Sequence, residues 1–132
     1  MLNIIVGAIA LFVFGAFWYT FAFGKVWERL MEFSPESKAR AKERGMTQGL
    51  IGNFVSNLIA ISVVYYVFPQ MLVLDFSDFI KNILIVWFGF SFPIYANSYL
   101  WEGKSWKLVA LNSAYGVVYF ILASSIVYYW PN

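Results

Sequence analysis

Residues 108–132 read LVALNSAYGVVYFILASSIVYYWPN, and no side chain among them carries a charge. A bilayer's hydrocarbon core is about 30 Å thick and needs about 20 apolar helical residues to cross it. Three further stretches have the same character: 1–24, 45–74 and 82–101 are also free of charge, and Pro69 ends the span inside the second. The predicted architecture is all-α: an integral membrane bundle of four transmembrane helices, at about 3–24, 48–68, 81–101 and 106–130. Strands fit less well, because the apolar runs are continuous instead of alternating over about 10 residues.

Composition agrees. Of 132 residues, 61 % are hydrophobic and 12 % charged, against typical soluble values of about 45–50 % and 25 %. A soluble domain of this size has nowhere to hide so much apolar surface. The sequence contains no cysteine and no histidine. That removes disulfides, thiolate metal sites, Fe–S clusters, haem held by His, most zinc sites and triads of the Ser–His type. No metal or cofactor is expected. The net charge of +2 is too small to imply a nucleic-acid partner. Residues 1–132 are read as a single transmembrane domain.

Lysine and arginine set the expected orientation. Residues 25–47 carry six of them (Lys25, Arg29, Lys38, Arg40, Lys42, Arg44) and residues 102–107 carry Lys104 and Lys107, whereas the opposite side carries only Lys81. The positive-inside rule places both basic segments in the cytoplasm and both termini outside. The first span lacks a basic residue before it and ends in bulky Trp18-Tyr19-Thr20-Phe21, so it reads as a retained helix and not a signal peptide. Within 25–47, Ser34-Pro35-Glu36 reads as an N-cap, a proline at the first helical position and an acid in the first turn. A short helix to Arg44, closed by Gly45, is predicted there. It suits the lipid headgroup region or the docking of a membrane-protein partner. The following segment, Met71 to Phe79, alternates apolar and polar residues and is expected to lie along the outer interface.

Small residues let membrane helices approach closely. Gly49, Gly52, Asn53, Ser56 and Ala60 fall within about 100° of one another on the second helix, with Asn57 at the margin. Gly7, Leu11, Gly15 and Ala22 form a stripe on the first, Gly89, Pro93, Ala96 and Asn97 on the third, and Asn112, Gly116 and Ala123 on the fourth. These stripes are the predicted seams. Pro93 cannot donate to the carbonyl of Gly89, so a kink is expected, with a seam Asn or Ser supplying a donor. The candidate polar interior is Asn53, Ser56, Asn57, Asn97 and Asn112. Two readings of it stand: interhelical hydrogen bonds worth about 0.6 kcal/mol each, or a pocket that binds or passes a ligand. No ionisable residue falls at midplane, which argues against a proton-coupled pump.

Two fragments recur. Gly24-Lys25-Val26-Trp27 is echoed by Gly103-Lys104-Ser105-Trp106, and Ser62-Val63-Val64-Tyr65-Tyr66 by Ser125-Ile126-Val127-Tyr128-Tyr129. A parallel repeat of one helical hairpin would produce this. So would aromatic belts that look alike by necessity.

Phe14-Gly15-Ala16-Phe17-Trp18-Tyr19 with Phe23-Gly24-Lys25 and Trp27, and Asn97 followed by Trp101-Glu102-Gly103-Lys104-Ser105, Leu108, Asn112, Tyr115 and Trp130, resemble the signature of the family called domain of unknown function 1761. Trp101 stands where that family often has Phe. The resemblance implies a small four-helix protein of the prokaryotic inner membrane with no established activity, and points to Trp18, Glu102, Gly103, Ser105 and Asn112. Physically, Gly103 can adopt positive φ, Ser105 can cap the fourth helix, and Glu102 could accept from that helix's free N–H groups. Three classes of function follow. One is a structural or accessory bundle packed against lipid or a membrane complex. The second is a homodimeric small-molecule or lipid binding or transport module with an Asn/Ser-lined interior. The third, an enzyme using Glu28, Glu32 and Glu102, requires those carboxylates to converge.

Overall fold

A computed structural model describes all of residues 1–132. The first span is α1 (Leu2–Ala16) continued by a π-helical segment, Phe17–Ala22. Two shorter helices follow, α2 (Gly24–Met31) and α3 (Pro35–Arg44). The second span is α4 (Thr47–Val67) with a closing 3₁₀ turn, Phe68–Gln70. The third is α5 (Phe76–Phe90) and α6 (Phe92–Leu100), and the fourth is α7 (Trp106–Tyr129). All four composite helices are long and apolar enough to cross a membrane. Their outward faces carry Ile9, Val13, Ile59, Val63, Ile85 and Phe88, each about half exposed, as hydrocarbon surroundings allow. The chain is a multi-pass membrane protein with four spans.

Local chemistry explains the boundaries. Ser34 Oγ accepts from the Ser37 amide at 3.1 Å, Pro35 occupies the first turn of α3, and Gly45 closes it at φ 76°. Asp75 caps α5 by accepting from the Asp78 amide at 2.9 Å. This cap starts the third span about five residues before the expected position. The segment 71–79 is correspondingly not an interfacial loop throughout, since Phe79 is fully buried in the core. α2 is likewise a helix in its own right where a loop was expected, ended by Glu32 in the left-handed region at φ 52°.

The third span breaks at Ser91, two residues before Pro93. The missing proline N–H and the ring's bulk account for it. In the first span the Phe23 amide reaches back five residues to the Trp18 carbonyl at 2.9 Å, and the Thr20 hydroxyl donates to the Ala16 carbonyl. The wider turn rotates everything after Phe17 relative to a regular helix.

α7 is the hub. α1, α4, α5 and α6 all pack on it, and α1 and α4 also pack on each other. The core joins Ala8 and Leu11 of α1, Ile61 and Val64 of α4, Phe79 and Ile83 of α5, and Tyr119, Ala123 and Val127 of α7. The first and fourth seams follow the small-residue stripes: Gly7, Leu11, Gly15, Gly116 and Ala123 are buried, and Ala22, the last residue of the π segment, is turned outward. The other two seams do not. On α4 the buried line is Asn57, Ile61, Val64 and Tyr65, while Gly49 and Gly52 face open space. On the third span it is Phe79, Ile83 and Trp87, and Gly89, Pro93 and Asn97 point outward. The close approaches are glycine against a large side chain, Gly7 on Ile61, Gly15 on Tyr115 and Gly116 on Trp87, instead of glycine against glycine. A Cβ on Gly116 would lie 2.4 Å from Trp87 Nε1.

Gly116→Ala should therefore destabilise the bundle by about 1–3 kcal/mol, measured by reversible unfolding in mixed micelles. Gly52→Ala, where a Cβ meets nothing within 4 Å, should be neutral or stabilising by up to about 1 kcal/mol.

Candidate functional site

The polar side chains of the interior form two tyrosine–asparagine pairs. The Tyr119 hydroxyl of α7 donates to Asn57 Oδ1 of α4 at 2.8 Å. Asn57 Nδ2 in turn donates to the Asn53 carbonyl and to Asn53 Oδ1, at 2.9 and 2.7 Å. About two turns away along α7, Tyr19 of the π segment donates to Asn112 Oδ1 at 2.7 Å. Of the expected polar interior, then, Asn57 and Asn112 are engaged across helices, whereas Asn53 is exposed and meets only Asn57 of its own helix. Ser56 is on the outer face, its hydroxyl donating to the Gly52 carbonyl of its own helix at 2.9 Å. Asn97 is exposed.

The partners of these asparagines were missed in the sequence because tyrosine reads as an interfacial anchor. A signal was there: Asn112, Tyr115 and Tyr119 share one helical face by spacing. Tyr115 fits because Gly15 lies beside it; a Cβ there would be 2.9 Å from the Tyr115 hydroxyl. Rings then run continuously from the basic end into the bundle. Phe33, Trp27, Tyr19, Tyr115 and Tyr119 succeed one another with centroids 5.5, 5.6, 4.9 and 5.6 Å apart. Trp18 flanks this ladder against Phe14, Phe23 and Tyr115, its indole N–H buried without a partner.

At the foot of the ladder is an open cleft of about 710 Å³ between the π segment, α2 and α3. Tyr19, Trp27 and Phe33 give it aromatic walls, Lys25 and Lys38 give it cations, and Glu28 gives it one carboxylate. Its size is that of an ordinary ligand site. Neither Glu32 nor Glu102 lines it, and no three acidic groups come together anywhere in the chain. The convergence required by a carboxylate enzyme is not present.

The turn 101–105 is a joint. Gly103 takes φ 68°, Ser105 Oγ accepts from the Lys107 amide at 3.2 Å, and the Lys104 ammonium donates to the Met31 carbonyl at the end of α2. Cations suit a helix C-terminus. Glu102 is exposed and makes no hydrogen bond to α7. At the far end of the bundle, a third polar group escaped the sequence reading. Asn3 Nδ2 donates to Asn132 Oδ1 at 2.6 Å, and the Tyr65 hydroxyl donates to the Trp130 carbonyl at 2.7 Å.

The family model described as "Protein of unknown function (DUF1761)" matches residues 2–128. The chain belongs to this family. The DUF1761 match spans all four helices, the aromatic ladder and the 101–105 joint, so the resemblance carried by Trp18, Glu102-Gly103-Lys104-Ser105 and Asn112 holds over nearly the whole chain. No curated protein and no solved structure matches it.

Tyr119→Phe should cost about 0.6 kcal/mol and at most about 1.7, because it leaves Asn57 Oδ1 without its donor. A double-mutant cycle with Asn57→Ala, read by unfolding in micelles, should return a coupling energy of that size. A coupling near zero would show that the pair contributes nothing.

Proposed function

We propose that this chain is a structural or accessory bundle of the prokaryotic inner membrane, one that packs among lipids or against a larger membrane complex. The observation that carries this reading is the occupancy of the interior. The Asn57 and Asn112 amides, the groups best suited to hold a polar ligand, each face a tyrosine hydroxyl within 2.8 Å. The described clefts open at the surface and neither asparagine lines one. On this reading the basic segment 25–47 is the dock for a membrane-protein partner.

The orientation belongs to the same proposal. Basic segments 25–47 and 102–107 lie in the cytoplasm, and both ends of the chain lie outside. The Lys104–Met31 contact supports a shared side for the two basic segments, and the Asn3–Asn132 contact supports a shared side for the ends. The absence of native cysteine makes the test clean. In intact cells a membrane-impermeant maleimide should label Gln70→Cys and spare Ala39→Cys, and opening the cells should expose the latter. The reverse pattern would invert the topology.

A second reading, a homodimeric binding or transport module, is favoured by one feature. A shallow cleft of about 330 Å³ lies on the uncovered face of α4 beside Arg44, Gln48, Gly49 and Asn53, where a second copy would complete it. Native mass spectrometry from lipid nanodiscs separates the two. The accessory reading expects a monomer, or a complex with another protein, and no retained small solute. A stable dimer that releases a defined small molecule on Asn53→Leu would overturn it.

A further inference from the structure

We propose that the cleft between the π segment, α2 and α3 seats the headgroup of an anionic phospholipid. The inference rests on the chain spanning a bilayer with this end at the anionic leaflet.

Charge carries the argument first. The chain contains one ion pair, Lys81 with Asp78, so the Lys25 and Lys38 ammoniums in the cleft have no carboxylate partner. Lys104, by contrast, is committed to the Met31 carbonyl. With Glu28, the cleft lining sums to +1, which complements a headgroup of net charge −1. A zwitterionic headgroup would leave one lysine unmatched. Basic pockets at the ends of spans are suited to phosphate headgroups.

Depth carries it next. Tyr19 and Thr20 belong to the span Leu2–Ala22, while Ser37 and Lys38 belong to α3 beyond it. The cleft therefore straddles the level at which the span leaves the hydrocarbon, where lipid phosphates lie. Aromatic rings favour that level, and Tyr19, Trp27 and Phe33 are held there by edge contacts at 5.6 and 5.5 Å. The Ser34 and Ser37 hydroxyls are hydrogen-bonded to each other at 3.1 Å, which holds Ser37 in the cleft wall. The assignment is phosphate between Lys25 and Lys38, with the hydroxyls of a polyol headgroup donating to Glu28.

The test is native mass spectrometry of the full chain ejected from nanodiscs of equimolar phosphatidylglycerol and phosphatidylcholine. Wild type should retain phosphatidylglycerol over phosphatidylcholine roughly tenfold. Lys25→Ala with Lys38→Ala should bring the ratio near one, and Arg40→Ala with Lys42→Ala, elsewhere on α3, should preserve it. Lys38→Glu, at an exposed position, should abolish the preference with the far-ultraviolet circular dichroism of wild type. No preference in wild type, or equal loss in both double variants, would overturn the site in favour of diffuse surface charge. Preferential retention of phosphatidylethanolamine in matched discs would overturn the charge assignment. Displacement of the lipid by millimolar inorganic phosphate would make this a free-phosphate site. Oligomeric state is read from the same spectra independently of lipid identity, so failure here and failure of the accessory reading are distinguishable.

Discussion

The hydrogen bond from Tyr119 to Asn57 joins α7 to α4 within the spans, where no water is available to replace it. Hydrocarbon favours the same solution for other polar groups, a partner supplied by the protein, although the Trp18 and Trp87 indoles and the Ser113 and Ser124 hydroxyls are buried without one. Several other features of the bundle follow from it. α7 runs unbroken from Trp106 to Tyr129 and satisfies its own backbone between its two end turns. The two spans that do break supply local remedies. In the π segment the Thr20 hydroxyl takes up the Ala16 carbonyl, and at the Ser91 break the Ser91 amide still reaches the Trp87 carbonyl at 2.7 Å. The same condition explains why the asparagines of the seam point at tyrosines. A carboxamide left alone there would be costly, and a phenol brings one donor together with a large apolar ring.

The spans were legible because charge is excluded from hydrocarbon, and that exclusion leaves gaps of membrane length in the sequence. The α3 helix was legible for a different reason: Ser34, Pro35 and Gly45 act locally, without help from the rest of the fold. Helix faces were not. Every side of a membrane helix is apolar, so periodicity does not separate lipid from protein, and small residues became the only guide. They succeeded on α1 and α7, where Gly15 and Gly116 receive the rings of Tyr115 and Trp87. They failed on α4, because Gly49 and Gly52 lie on a face that nothing covers. They failed on the third span, because there the large partner, Trp87, is itself the seam residue.

The repeated tetrapeptide shows how far context overrides local sequence. Gly24-Lys25-Val26-Trp27 is the first turn of α2, whereas Gly103-Lys104-Ser105-Trp106 is a tight turn with Gly103 at φ 68°. The preceding π segment places the Phe23 amide on the Trp18 carbonyl and lets the chain continue into helix. After α6, the Lys104 amide closes instead on the Ser98 carbonyl at 2.9 Å, and Ser105 starts a new helix. One pair of residue types, Gly-Lys, thus opens a wall of the cleft in one place and pins α2 from behind in the other. Whatever the ancestry of the two halves, they are not equivalent at these turns.

The candidate site is divided by the same physics that built the bundle. The cleft's cations, its carboxylate and the Ser37 hydroxyl stay at the end of the spans, where water and headgroups solvate them. The Tyr119–Asn57 and Tyr19–Asn112 pairs occupy the interior, where neutral dipoles are far less costly than charges. The aromatic ladder from Phe33 to Tyr119 is the physical link between the two zones. Its rungs are rings already in contact, with no solvent-filled gap between them. A solute moving inward from the cleft would have to part Tyr19 from Asn112 and then Tyr119 from Asn57, at the helix on which the other three spans pack. The site is therefore better suited to holding a group at the membrane surface than to passing one through, and the hub position of α7 is what makes the difference.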